Sequence, residues 1–497
     1  MDIKLGKRDW LFLLACLLLG IMSEESFFRG EIGISYILFL MFFYGVFFFR
    51  FRNFGFTHQR MGYLILCVIW LLSASYFLND NILFHVLNIL LIPSLVIFHL
   101  VLVTSPKKML WTQPPFVTYL VSRIIEMFKY LAAFTRNVCI GLNRDADKEK
   151  LAVWKKIAIG IVVALPVLFI VLTLLMSADT QFERIIGGIP GWFRVIDAET
   201  FTRFIIVLLY TLAFFGFMQV LFLRKMKVIK QEWTGISVHL DAVIAITVLI
   251  LINAVYVLFT IVQFKYFLGG QLQGDYTFAE YARKGFFELL FVTVINLSIL
   301  VTALTFVQFT SKMVKYLTQG LLTLLVIVSS VMLYSSSLRL SMYEEAYGFT
   351  FTRVLAHAFM IFLTVIFTYT LVKVWIEKLR LFHFYFIALL LFYSVMTLID
   401  VNQLVVEKNI YRYEQTGKID VHYLNSLSYS GVLGLIELYE GNKNIVDLQK
   451  VLQDRKNEAL ESDYSWQSYN VKREQAFKAL QKLDFSFDTD RLTNKNG

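Results

Sequence analysis

The chain has 497 residues, 58% of them hydrophobic and only 17% charged, whereas soluble domains carry roughly a quarter charged residues and just under half apolar ones. That composition excludes an ordinary soluble globular protein and points to an integral membrane protein. Lys and Arg outnumber Asp and Glu by 47 to 37, a formal net charge of +10; such an excess can serve nucleic acid or anionic lipid, so its distribution decides its meaning.

A membrane-spanning helix needs about 20 mostly apolar residues, with about 17 tolerated. Taken in order, runs of that kind lie near 10–27, 32–49, 61–78, 82–103, 156–176, 201–223, 238–263, 285–308, 316–334, 354–372 and 381–399. The first follows Lys4, Lys7 and Arg8 and imitates a secretory leader, and Leu13 to Cys16 imitates a lipoprotein cleavage site. Cys16 lies inside the apolar run, however, and no small-residue cleavage site closes it, so the run reads as an uncleaved first span. Cys16, Cys67 and Cys139 are too few and too scattered for a disulfide framework or a paired-cysteine metal site.

Short connections rich in Lys and Arg stay cytoplasmic. Arg50, Arg52 and Arg60, the 104–155 insertion with Lys107, Lys108, Arg136, Arg144 and Lys155, then Arg224 to Lys230, Lys312 with Lys315, and Lys373 to Arg380 all fall on the side of the N-terminus. The other side receives Glu24, Glu25 and Glu31, Asn79 and Asp80, 179–199, 271–280, 339–353 and the tail. The excess charge is therefore a topology signal, with no nucleic acid as partner. The expected fold is all-α: a polytopic bundle of about eleven spans over residues 1–400, with a cytoplasmic insertion at 104–155 whose stretch 116–140 is an amphipathic interfacial helix. A small extracytoplasmic α-helical domain follows over 401–497. In it the apolar residues recur at helical spacing, Asp420 and Ser428 stand as N-caps, and Gly441 stands as a stop. The N-terminus is expected in the cytoplasm and the C-terminus outside, and the tail's lack of cysteine pairs is compatible with a bacterial cell surface.

Four segments on the outer side carry functional groups. In the stretch from Asp275 to Leu290, Glu280, Lys284 and Glu288 recur at i, i+4, i+8, with Tyr281 and Arg283 beside them, and Glu288 reaches deepest. An acid at that depth marks either a site or a neutralised pair. Arg339, Tyr343 and Tyr347 repeat the same spacing, with Gly348 as a helix stop, Thr350 or Thr352 as the next cap and Arg353 opening the next span. A guanidinium with two phenols suits a phosphate or a sugar ring, and is equally the usual furnishing of a membrane interface. The Gly- and Pro-rich loop from Ser177 to Trp192 lacks a phosphate-loop pattern. Past the last span, Asp400, Asn402, Asn409 and Arg412 cluster, too few in oxygen ligands for a calcium loop. Inside the spans, His85, Asn88, His99, Asn253, Asn296 and His357 read as hydrogen-bonding glue between helices. No hydrolase, metalloprotease, nucleotide or dinucleotide motif occurs, and neither a metal nor a cofactor is expected.

The chain resembles an uncharacterised bacterial family of polytopic membrane proteins, that of domain of unknown function 4173. The likeness rests on EYARKGFFEL at 280–289, LRLSMYEEAYGFTFTR at 338–353, NQLVVEKNIYRYEQTGKIDVHYLNSLS at 402–428 and YSWQSYNVKREQAFKAL at 464–480. It covers roughly the second half of the chain, and implies the location of important residues without an activity, substrate or catalytic group.

Two functions fit. The first is a sensory or envelope-maintenance module, or a transporter-like one, whose partners are the bilayer and a ligand or protein met at an outer rim. That rim comprises Glu280, Tyr281, Arg283, Glu288, Arg339, Tyr343, Tyr347, Arg353, Asn409 and Arg412, with the acids paired to Arg339, Arg353 or Arg412. The alternative is an outer-face, lipid-linked glycan transferase with Glu24, Glu25 or Glu31 as base, against which the shortness of the first outer loop counts.

Overall fold

The computed structural model describes residues 6–142, 171, 198–223, 239–262, 286–309, 311–462 and 464–485. Within them the chain is all-α, apart from a parallel pairing of Leu240–Asp241 with Val307–Gln308. In chain order the long helices are α1 (Lys7–Phe28), α2 (Ile34–Arg50), α3 (Gln59–Leu78), α4 (Ile82–Thr104), α5 (Pro114–Leu142), α6 (Ala198–Leu223), α7 (Ala242–Val262), α8 (Phe286–Phe306), α9 (Lys312–Tyr347), α10 (Phe351–Trp375) and α11 (Leu381–Leu398). Nine helices among the described residues are long and apolar enough to cross a membrane, and α2 is an apolar helix of 17 residues. They fall on the predicted runs; the run at 156–176 and the loop at 177–192 lie outside the described residues, save Val171. The chain is a multi-pass integral membrane protein.

The helices divide into two compact units, Met1–Gln59 with Phe98–Ile229, and Arg60–Ile97 with Lys230–Gly497. In the first, α1 and α6 run antiparallel in close contact. A Cβ on Gly20 would stand 2.6 Å from the carbonyl oxygen of Val207, so only glycine permits this approach. Polar clamps fix both ends of the pair. At one, Arg50 Nη2 donates to Asp9 at 2.6 Å and to Gln219 at 2.9 Å, with its guanidinium between the rings of Phe12 and Phe222. At the other, Glu24 lies 3.4 Å from Arg29 and 3.5 Å from Arg203. The amphipathic helix α5, expected at 116–140, packs Tyr130 and Phe134 on Phe215 of α6.

In the second unit α9, 36 residues long, is the central post. Leu322, Leu325, Val326, Leu333 and Leu340 along it share a core with Leu249, Phe286, Leu300, Met360, Leu363 and Phe367 of α7, α8 and α10. Asn253 and Asn296 do act as glue, donating to the Leu321 carbonyl at 3.1 Å and to Ser329 Oγ at 2.8 Å. Five further α-helices follow: α12 (Val401–Thr416), α13 (Val421–Asn425), α14 (Ser428–Gly441), α15 (Leu448–Glu461) and α16 (Val471–Lys482). They close around Val405, Leu424, Leu435, Leu448, Leu452 and Ala476, a core that Phe84 and Met396 join from α4 and α11. Asp420 caps α13 through the Tyr423 N–H at 2.8 Å. Ser428 is instead the first residue of α14, which Leu427 precedes as cap.

Candidate functional site

The turn from α9 into α10 holds the residues that the sequence brings forward. Gly348 ends α9 at φ +86°, a left-handed conformation that glycine adopts freely, and its N–H bonds the Glu344 carbonyl at 2.7 Å. Thr350 then caps α10, so Arg353 follows within the first turn and folds back. Its guanidinium lies 4.2 Å from the centroid of the Tyr343 ring and Nη1 donates to the Gly348 carbonyl. Tyr347, 56% exposed, sits with its ring 4.8 Å from that of Tyr343.

Beside this stack lies a cavity of about 600 Å³, lined by Tyr343, Thr350, Thr352, Arg353 and Tyr423 as polar groups and by Phe286, Phe287, Leu340, Phe351 and Ala356 as apolar ones. The Thr350 and Thr352 hydroxyls are 3.3 Å apart. Tyr423 Oη accepts the Phe351 N–H at 2.8 Å, leaving its own proton free to donate, and burial raises its pKa and so keeps that proton in place. Among the described residues no carboxylate pairs with Arg353; its contacts are the ring and the carbonyl. The arrangement offers a guanidinium, two hydroxyls and a phenol to an anion, with aromatic walls to exclude water. None of the described lining residues is a carboxylate, imidazole or thiol, the groups that general-base and nucleophilic chemistry mostly use. No three metal-capable side chains gather among the described residues.

The remaining rim residues have other places. Glu280, Tyr281 and Arg283 lie outside the described residues. Glu288 is exposed in the first turn of α8, and no arginine among the described residues pairs with it. Arg339 is only 4% exposed, turned into the core side of α9. Asn409 holds the turn by its backbone, accepting from the Phe349 N–H at 3.1 Å and donating to the Phe349 carbonyl at 2.8 Å. Arg412 donates to the carbonyls of Glu345 and Ala346 at the end of α9, at 3.3 and 2.8 Å. Both side chains therefore dock α12 on the turn.

Three features escape a reading of the sequence. Tyr423 reaches the cavity from a five-residue helix 70 residues beyond Arg353, and no local pattern signals it. Glu344, 3% exposed, meets His357 Nε2 at 3.0 Å, giving that histidine an acidic partner which the span boundaries had hidden. Asp400, first noted as an oxygen donor, caps α12 through the Gln403 N–H at 2.9 Å and pairs with Lys472 at 3.0 Å. In the first unit Glu24 is 3% exposed between Arg29 and Arg203, and Glu25 pairs with Arg29 at 2.9 Å.

Residues 66–438 match the family described as Domain of unknown function (DUF4153), and the match contains every described residue of the cavity. Its number differs from the 4173 that the motifs suggested; a family of unknown function is common to both. No curated protein and no solved structure matches the chain.

Proposed function

This protein belongs to the family of domain of unknown function 4153, a membership that carries no reaction with it, and we propose that it is a recognition protein of the bacterial cell membrane. Its ligand site is the cavity beside Tyr343 and Arg353, and its role is sensing or envelope maintenance. One observation carries the reading: Arg353, Tyr343, Thr350, Thr352 and Tyr423, from three helices and the turn between two of them, converge on one hollow. The loop charges support an N-terminus in the cytoplasm and a C-terminal helical domain outside, which sets this hollow on the outer face. Glu280, Tyr281 and Arg283 lie outside the described residues and are rim candidates on the sequence alone, which places them just before Phe286 and Phe287 of the cavity wall, with Glu288 just after.

Recognition is favoured over the glycan-transferase alternative because ion pairs with Arg29 and Arg203 engage Glu24 and Glu25, two of the three candidate bases. Transport would need a polar path through the bilayer, and among the described residues buried Asn253 and Asn296 each donate to a neighbouring helix. In a strain lacking the protein, Arg353→Gln and Tyr343→Ala are each expected to fail in complementation at wild-type membrane abundance. Full complementation by both rules the cavity out as the site.

A further inference from the structure

The hollow at Arg353 has a neighbour. A second one, of about 400 Å³, adjoins the start of α10, and Thr352 and Ala356 line both. These two residues are one helical turn apart on the same side of α10, so they form a sill over which a single molecule can pass.

The two spaces differ in chemistry. The first carries the guanidinium, the hydroxyls and the phenols. The second is walled by Leu83, Leu87, Leu355, Phe359 and Phe392, almost without polar surface. Leu83 and Leu87 stand at its margin, 42% and 46% exposed on a helix with the composition of a span, so it opens sideways toward hydrocarbon rather than toward water. A cation without a counter-charge among the described residues, one turn from an apolar groove that opens on the bilayer, matches a molecule with an anionic head and a hydrocarbon tail. A soluble anion would leave the second space unused, an uncharged lipid would leave Arg353 without a partner charge, and a zwitterionic phospholipid would bring a fixed cation beside the guanidinium together with its phosphate.

The geometry points to an anionic phospholipid as the ligand, with its phosphate on Arg353, Thr350 and Thr352 and one acyl chain crossing Thr352 and Ala356 into the groove between Leu87, Phe359 and Phe392. This rests on the cavity being the recognition site and adds the class of molecule recognised.

The test is retention of lipid by the full-length protein in detergent, read by native mass spectrometry with phosphatidylglycerol and phosphatidylcholine of identical chains. Wild-type protein is expected to keep phosphatidylglycerol in preference to phosphatidylcholine by about tenfold, and Arg353→Gln to abolish that preference. Arg353→Lys should retain most of it, which separates loss of charge from loss of fold, and Ala356→Phe, blocking the sill, should lower retention of both lipids. Glycerol 3-phosphate at millimolar concentration should not displace the lipid. Equal retention of the two lipids by wild type, an unchanged preference in Arg353→Gln, or displacement by glycerol 3-phosphate as effective as by lipid each overturns the assignment, the last in favour of a soluble phosphate. Complementation separates the two levels of the argument. If Arg353→Gln loses phosphatidylglycerol yet complements fully, the lipid site stands and its role in recognition fails. If it fails to complement with retention unchanged, recognition stands and the lipid assignment fails.

Discussion

Asp80, in the connection between α3 and α4, accepts the Tyr429 N–H at 2.5 Å. Burial is the largest influence on its carboxyl group and raises its pKa, the nearby charge of Asp400 acts in the same direction, and the bonds from Ser428 and Tyr429 only partly oppose them. With the folded pKa above the unfolded one, the neutral acid is the form the fold prefers. Its contribution to stability is full below the unfolded pKa and is lost as pH rises through the folded one. Asp80→Asn keeps an oxygen for the Tyr429 N–H and removes the charge. It is expected to be at least as stable as wild type at neutral pH and to flatten the rise in stability toward acid, as read by thermal unfolding in detergent from about pH 4 to about pH 8. Lower stability of the variant at neutral pH would contradict this account. At Gly348 the strain runs the other way: a Cβ would meet Asn409 Oδ1 at 2.9 Å on a backbone at φ +86°. Gly348→Ala should therefore cost roughly 1–3 kcal/mol in the same assay. That glycine and the Asp420 cap were legible because capping is local and each residue type has a physical reason to stand there, whereas Thr350 takes the cap position of α10 with its hydroxyl on Thr352 and not on the helix backbone. The backbone partners of Asn409 and Arg412 lie some 60 residues away, and nothing in a linear pattern announces them.

Helix α9 exemplifies what a span filter reads and what it misses. The apolar run ends near 334, where Ser335, Ser336 and Ser337 begin, and hydropathy alone stops there. The helix continues to Tyr347, because buried positions keep helical spacing through Ser329, Met332, Leu333, Ser336, Leu340 and Glu344. That periodicity was present in the sequence, though past the apolar run small and polar members such as Ser336 and Glu344 alternate with apolar Leu340. The continuation is what brings Glu344 to His357, and with it the turn that builds the cavity. Removing one partner of such a pair leaves the other unsatisfied, so Glu344→Leu is expected to cost about 1–3 kcal/mol, while Glu344→Gln, which still reaches His357, should cost less. Thermal unfolding of both variants, with His357→Leu to close a double-mutant cycle, measures the coupling; a coupling near zero would make the pair incidental to the packing of α9 on α10.

At the scale of the whole molecule, length fixes where the cavity stands. The 25 residues of α10 rise about 37 Å, more than the roughly 30 Å of a hydrocarbon core. At its far end Gln319 bonds the Val374 carbonyl at 2.8 Å and Lys315 pairs with Glu377, so the basic start of α9 lies with the end of α10 and the turn at Gly348 lies at the opposite end. Tyr343 and Arg353 thus mark one boundary of the span and Lys315 with Lys373 the other, which is the arrangement expected if the basic end is cytoplasmic. The composition made the membrane class legible from the first line, and the alternating loop charges made an orientation legible; which side chains would share a cavity depended on tertiary packing that neither encodes. The orientation can be measured directly. In a background with Cys16, Cys67 and Cys139 replaced, single cysteines at Tyr347 and at Lys418, in the connection after α12, should react with an impermeant maleimide on intact cells. Cysteines at Lys107 and Lys378 should react only after permeabilisation. Labelling of Tyr347→Cys and Lys418→Cys from the cytoplasmic side alone would invert the molecule, and the cavity would then face the inner leaflet and the cytoplasm.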